Sequence, residues 1–227
     1  MSRYDRNIKT LSVEENEKLK DYKVCVVGCG GLGGYIIEMI GRLGIGHITA
    51  VDGDYFSESN LNRQILSNNL NLTKNKAVEA KKRMEKVNDL IKINPIEIFI
   101  NKNNVLDILK EHDLVIDAVD SIETRFLLQD ACEKLKIPLI HGAIAGWYGQ
   151  VTTIFPGDRT LDIIYKNKSA KGVEQSLGNP SFTPALVASI EVSEALKVLI
   201  NRGENLRRKV LMIDLLYQDF EVLDLNQ

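Results

Sequence analysis

Short apolar runs alternate with helical patterns along most of the chain. Tyr22–Gly28 (YKVCVVG) reads as a buried strand, and Leu32–Leu43 has the apolar spacing of a helix. His47–Asp52 (HITAVD) predicts a second strand, and Lys74–Val87 a charged amphipathic helix. Ile96–Ile100 predicts a third strand and Val105–Lys110 a short helix. Leu114–Ala118 (LVIDA) and Pro138–His141 (PLIH) predict strands on either side of a helix over Ile122–Leu135. Strands that alternate with helices imply right-handed crossovers and a parallel sheet.

The pattern changes near residue 145. Gly149–Phe155 (GQVTTIF) partly alternates, as an antiparallel strand does. Pro156–Pro184 shows no clear periodicity and predicts a long loop, a feature that is more often functional than accidental. Pro184–Ile200 predicts an apolar helix with Glu191, Glu194 and Lys197 on its polar side, and the tail predicts two short strands. The first 21 residues read as an arm and a polar helix, which Ser12 and Glu15 cap reciprocally. The expected architecture is one α/β domain over residues 1–227, with helices on both faces of a mixed sheet. Residues 22–145 supply its parallel half. Residues 146–227 supply its antiparallel half, with a crossover loop over 156–184.

Composition narrows the classes. With 44% hydrophobic residues and a net charge of −2 over 227 residues, disorder is excluded as the main state. Lys and Arg (29) balance Asp and Glu (31), so nothing suggests a nucleic-acid partner. No apolar run approaches the roughly 20 residues of a membrane span, and the polar N-terminus has no signal-peptide core. Cys25, Cys29 and Cys132 form no C-x-x-C pair, which fits a reducing cytoplasm and argues against disulfides or structural zinc.

Gly28-Cys29-Gly30-Gly31-Leu32-Gly33 is a G-x-G-x-x-G run that follows a strand and opens a helix. Its glycines let backbone N–H groups approach a phosphate, and the helix N-terminus adds positive potential. Asp52 ends the next strand, where a ribose-binding carboxylate belongs. The expected fold is therefore Rossmann-like. To this point NAD and an adenine nucleotide are equally served.

The following segment, GDYFSESNLNRQ, separates them. A dinucleotide's diphosphate is held by the glycine loop, whereas a triphosphate needs further cations or a metal ion. Arg63 and Lys76 lie beyond the ribose acid and can supply that charge. On local chemistry alone, Arg63 is equally a surface arginine. Lys76 is one more lysine on a solvated helix face beside Lys74, Lys81 and Lys82. Asp117 and Asp120 follow the fourth strand, where carboxylates face the ligand crevice; one can hold Mg²⁺ while Asp120 or Ser121 caps the next helix.

These residues are recognisable together. The arm RYDRNI, the loop GCGGLG, VDGDYFSESNLNRQ, the lysine of NKAVEA, LVIDAVDS and HGAIAGWYGQVTTIFPG resemble the MoeB/ThiF/HesA family, bacterial relatives of ubiquitin-activating enzymes. The resemblance covers nearly the whole chain. It implies ATP- and Mg²⁺-dependent adenylation of the C-terminal glycine of a ubiquitin-like sulfur-carrier protein ending in Gly-Gly, in molybdopterin, thiamin or related synthesis. By position it implies that Gly28, Gly30, Gly31 and Gly33 line the nucleotide and that Asp52 holds the ribose. It places Asp54, Asn60, Arg63, Gln64 and Lys76 around the nucleotide, with Asn60, Arg63 and Lys76 on the triphosphate. Asp120 would organise Mg²⁺. Arg6 would reach the phosphates of a neighbouring subunit, which implies a homodimer.

The chain departs from that family in two respects. Many members bind zinc through two C-x-x-C pairs, and both pairs are missing here, so no zinc is expected. Many also carry a crossover-loop cysteine. Residues 156–184 contain none, and Ser169, Ser176 and Ser181 are poor substitutes for a thiolate. The expectation is activation without a covalent intermediate on that loop. His141 reads as a structural histidine; Trp147 and Tyr148 read either as a wall for the carrier's tail or as core. Three other readings stay open: adenylation of a small molecule, peptide or modified tRNA base; a non-catalytic binder of a ubiquitin-like protein; and an NAD-dependent oxidoreductase, which Arg63 and Lys76 count against.

Overall fold

The computed structural model describes residues 3–166 and 177–225. One eight-stranded sheet runs through them in the order β3-β2-β1-β4-β5-β6-β7-β8. The strands are β1 (Lys23–Val27), β2 (His47–Val51), β3 (Lys92–Ile96), β4 (Leu114–Asp117), β5 (Leu139–Ala145), β6 (Tyr148–Ile154), β7 (Lys209–Asp214) and β8 (Asp219–Asp224). The helices are α1 (Val13–Lys18), α2 (Gly31–Leu43), α3 (Lys76–Val87), α4 (Val105–Leu109), α5 (Ile122–Leu135), α6 (Thr160–Ile164) and α7 (Phe182–Ile200). β1 to β5 pair in parallel, and β5 to β8 pair antiparallel. Among the described residues no helix is long and apolar enough to cross a membrane.

The parallel strands read as continuous apolar runs because both of their faces are covered. Val24 and Val26 of β1 pack with Ile36, Ile37 and Ile40 of α2. Cys25 and Val27 point the other way, into a second core with Leu109 of α4 and Phe126 and Leu128 of α5. The strand order reverses between β2 and β4 on either side of β1, which opens a crevice at the carboxyl ends of these strands.

Three expectations are corrected. The third strand lies at Lys92–Ile96, not at Ile96–Ile100. Pro95 cannot donate to a ladder, but β3 is an edge strand, where that loss is tolerated. Within the segment read as loop, Thr160–Ile164 is helical, and Leu161 N–H donates to Gln129 Oε1 at 2.9 Å. Residues 167–176 of the predicted loop, with Ser169 and Ser176, lie outside the described residues. The acids of α7 are not on a polar face. Glu191 and Glu194 are 0% and 2% exposed, because α7 packs on α2 as well as on β5 and β6. Glu194 accepts from Thr153 Oγ1 at 2.6 Å and Leu206 N–H at 2.7 Å, and its other oxygen meets Lys197.

Glu191 is different. Its carboxyl occupies the space left by Gly142, where a Cβ would come within 2.3 Å of its Cδ, and neither oxygen has a hydrogen-bond partner. Burial pushes its pKa well above the ordinary 4.5; Asp117 raises it further and Arg125 opposes. The folded chain therefore keeps a proton that the unfolded chain releases, so stability declines as pH rises above the unfolded value. Glu191→Gln cannot ionise. Its stability relative to the parent chain should climb above about pH 4.5 by up to ~1.4 kcal/mol per pH unit. Urea midpoints for both chains across that range check this. A pH-independent difference would show that Glu191 is ionised in the fold.

Candidate functional site

The crevice holds a pocket of about 370 Å³. Loops after four successive parallel strands line it: Gly28, Gly30 and Gly31 after β1; Asp52 to Asp54 after β2; Ile98 to Ile100 after β3; Ala118 to Ser121 after β4. Arg63, Gln64, Lys76, Arg125, Ile144 and Asn179 complete it. The apolar residues 98–100 that sequence pattern assigns to a strand thus form a wall, with Phe99 set against Gly53.

The glycine loop is built by close backbone approach. Gly28 has φ +96°, and a Cβ on it would lie 2.5 Å from the Ala118 carbonyl oxygen. Gly33 does not line the pocket. It lets α2 start directly on the loop, since its Cβ would fall 1.8 Å from the Gly28 oxygen. Cys29 N–H donates to Asp52 Oδ2 at 2.7 Å, and Asp54 N–H to Asp52 Oδ1 at 2.8 Å. Asp52 therefore joins the glycine loop to the β2 loop at the pocket floor. Burial raises its pKa, while those two N–H groups and Lys76 pull it down.

The polar groups beyond Asp52 divide. Arg63 lays its stem by Gly31 and donates to Ser59 O and Asn62 Oδ1, both at 3.0 Å. Gln64 brings its amide to Gly30 and leaves a buried Oε1 without a partner. Lys76 is not on a solvated face. Asn75 caps α3 by accepting from Ala77 and Val78 N–H, so the helix starts at Lys76 and not at Lys74. Lys76 thereby becomes the first helical residue, buried, with its Nζ 2.5 Å from Asp54 Oδ2. Asn60 lies outside the lining; its Oδ1 accepts from Ser57 N–H and closes the turn that carries Arg63. Arg6 is exposed and is not part of this chain's pocket.

The β4 loop is held from below. Asp117 is fully buried and accepts from Val119 N–H at 3.0 Å and His141 Nδ1 at 2.7 Å. Arg125 donates through Nε and Nη2 to the Val119 carbonyl and through Nη1 to Tyr165 Oη. Burial holds the His141 pKa below its usual value although Asp117 favours the cation. A neutral imidazole then donates from Nδ1 to Asp117 and accepts at Nε2 from Tyr165, 3.1 Å away, while Tyr165 accepts from Gln150 at 2.7 Å. Both polar groups of the Val119 backbone are thus fixed next to Asp120. Ser121 caps α5, so Asp120 is exposed to the pocket with no hydrogen-bond partner among the described residues. Sequence spacing gives no sign of this network, whose bonded partners lie up to 40 residues apart.

At the far end, Gly146 N–H donates to Gly178 O, and Thr183 Oγ1 donates to Gly146 O at 2.6 Å. These bonds bring Asn179 to the pocket with a buried, unpartnered Oδ1. Trp147 stacks on Phe182 at 4.6 Å, both about 40% exposed. All three thiols are buried, which pushes their pKa values up, that of Cys132 to about 12. They are packing groups, not nucleophiles.

The chain and its fold have counterparts among known proteins. The profile of the ThiF family matches residues 4–227. The chain belongs to the ThiF family. Among ThiF-family relatives, a molybdopterin-synthase adenylyltransferase of Haemophilus influenzae is 34% identical, over 93% of this chain and 89% of its own. A SAMP-activating enzyme E1 of Haloferax volcanii is 32% identical, over 98% and 84%. A sulfur carrier protein adenylyltransferase of Thermus thermophilus is 32% identical, over 100% and 88%. The fold is shared with E. coli MccB, solved with MccA, at a TM-score of 0.85 and 22% identity over 98% of this chain and 71% of that one. As a ThiF-family member the chain is an adenylyltransferase.

Proposed function

We propose that this enzyme adenylates the C-terminal glycine carboxylate of a ubiquitin-like sulfur carrier, in molybdopterin, thiamin or related thio-cofactor synthesis. One observation carries the reading: the glycine loop, the acid Asp52, the cations Arg63 and Lys76, and the open carboxylate of Asp120 line a single pocket. The relatives named for carriers of this kind support the acceptor class.

The pocket suits ATP. Gly28, Gly30 and Gly31 line it with no side chain between a ligand and the loop's N–H groups, and Asp52, the acid assigned to the ribose, lines it together with the cations Arg63 and Lys76. Asp120 suits Mg²⁺, which takes one or two carboxylates and otherwise phosphate oxygens and water. Bound Mg²⁺ would supply neutralising charge to the phosphates.

The chemistry follows from charge. A carboxylate oxygen forms a bond to the α-phosphorus, the bond from that phosphorus to the bridging oxygen breaks, and pyrophosphate leaves with the electron pair. Two anions approach while charge grows on the leaving group, so the protein's task is orientation and neutralisation. Arg63 and Lys76 neutralise, the glycine loop's N–H groups orient, and Asp120 would hold Mg²⁺. A general base is unnecessary because a C-terminal carboxylate is ionised at neutral pH. Arg6, exposed on the arm, is assigned to the phosphates of a second copy in a homodimer.

ATP–pyrophosphate exchange with and without each Gly-Gly-ending carrier tests the reading. Carrier-dependent exchange is expected; ATP binding without exchange for any carrier would refute the acceptor. Asp52→Asn should weaken ATP binding by about 10-fold, the loss of a charged hydrogen bond to ribose. An unchanged dissociation constant in calorimetry would put the ribose elsewhere.

A further inference from the structure

The Lys76–Asp54 pair has an unusual distribution of exposure. The lysine side chain is 8% exposed and the aspartate side chain 55%. The cation is therefore the buried member, and its counter-charge is the member that faces an incoming ligand. Both line the pocket.

The pair is fixed from several sides. Asp54 O accepts from Lys76 N–H at 3.0 Å and from Asn75 Nδ2 at 3.2 Å. Asp54 N–H donates to Asp52, and Asp54 Oδ1 accepts from Tyr55 N–H. Partial burial works against the Asp54 carboxylate, but the Lys76 ammonium and the Tyr55 N–H hold its pKa below the usual value. Asp54 is thus a fixed anion, and Lys76 has no other hydrogen-bond partner for its ammonium among the described residues.

Two consequences oppose each other. A buried ammonium without a counter-charge is costly, so Asp54 holds Lys76 in place and aimed into the pocket before any ligand arrives. A carboxylate beside a triphosphate repels it, so the same residue works against nucleotide binding. We infer that Asp54 is a positioning residue that acts through Lys76: it holds the ammonium ready in the empty pocket and yields it to the phosphates when nucleotide binds. The inference rests on the ATP-binding reading above and assigns Asp54 no contact with the nucleotide itself.

The signature is a split between affinity and turnover. Asp54→Asn removes the repulsion and should tighten ATP binding about 5-fold, the scale of one water-screened unit-charge contact. It also frees the Lys76 side chain from its aim, and turnover should fall about 10-fold or more. Asp54→Glu, which keeps the charge, should recover part of the turnover. A purely structural role would lower stability without moving affinity and turnover in opposite directions.

The experiment uses the full chain. Calorimetry with ATP and no acceptor is run on the parent, Asp54→Asn, Lys76→Ala and the double variant, and exchange rates are measured with the carrier. Tighter binding with slower exchange in Asp54→Asn, and loss of the exchange effect but not of the tighter binding in the Lys76→Ala background, would support the inference. Weaker binding in Asp54→Asn, or a slowing of exchange by Asp54→Asn that is the same with and without Lys76, would overturn it while leaving the proposed reaction intact. A parent chain that binds no ATP would overturn the reaction and the inference together.

Discussion

Gly33→Ala should cost about 3 kcal/mol of stability or more and at least a ~10-fold loss of ATP affinity. The added carbon would lie 1.8 Å from the Gly28 oxygen and 2.7 Å from the Gly28 carbonyl carbon. Both are backbone atoms, so no side-chain rotation relieves the clash. Moving α2 would disturb its packing on β1, α3 and α7. Moving the loop instead would displace Gly28, which is itself wedged against the Ala118 carbonyl at the pocket floor. Gly31→Ala is the control: its nearest new neighbour would be Pro184 Cβ at 3.7 Å, an ordinary contact, and a helical alanine is favourable. Denaturant midpoints and calorimetry separate the two. A Gly33→Ala chain as stable and as avid as the Gly31→Ala chain would show that the loop has slack.

The second large effect is expected at Arg63. Its guanidinium is held by its own loop, through Ser59 O and Asn62 Oδ1, and it stands over the N-terminus of α2 at the pocket wall. Because it is only half-buried and supports no core residue, Arg63→Ala should shift stability by no more than about 0.5 kcal/mol. The adenylation rate should fall by about 10²–10³, the usual cost of removing a preorganised group that meets charge developing in the transition state. Arg63→Lys should rescue little, since an ammonium cannot keep both loop contacts and still face a phosphate. Single-turnover rates at saturating ATP decide the matter. A loss under about threefold would remove Arg63 from the reacting charge.

How legible these residues are depends on distance along the chain. The unit from β1 through the glycine loop to Asp52 is local, with its strand, turn and helix each signalled within a few residues, so pattern places it correctly. Lys76 is misread by local chemistry. Its neighbours Lys74, Lys81 and Lys82 suggest a solvated face, but the cap at Asn75 turns the first helical residue into the pocket. The acids of α7 mislead for another reason. A charge spaced along an apolar helix implies a wet face, unless that face lies on the sheet, as here, where Glu191 sits against Gly142 of β5 and Glu194 accepts from Thr153 of β6. Asp117, His141, Gln150, Arg125 and Tyr165 come from β4, β5, β6, α5 and the end of α6. Only the sheet order brings them together, so no spacing rule finds them. Pro95 hid β3 because a proline argues against a strand until that strand is known to be an edge.

The other edge of the sheet has a consequence for association. Every residue of β8 is exposed, and the strand pairs with β7 alone among the described strands. Phe220, Val222 and Leu223 would make such an edge a template for another chain, yet Asp219, Glu221 and Asp224 are interleaved with them. Two copies meeting edge to edge about a twofold axis would set these carboxylates against one another, an arrangement that like charges across a ladder disfavour. Runaway polymerisation through open backbone groups is thereby discouraged in a crowded solution. The same carboxylates work against a second copy pairing through this strand.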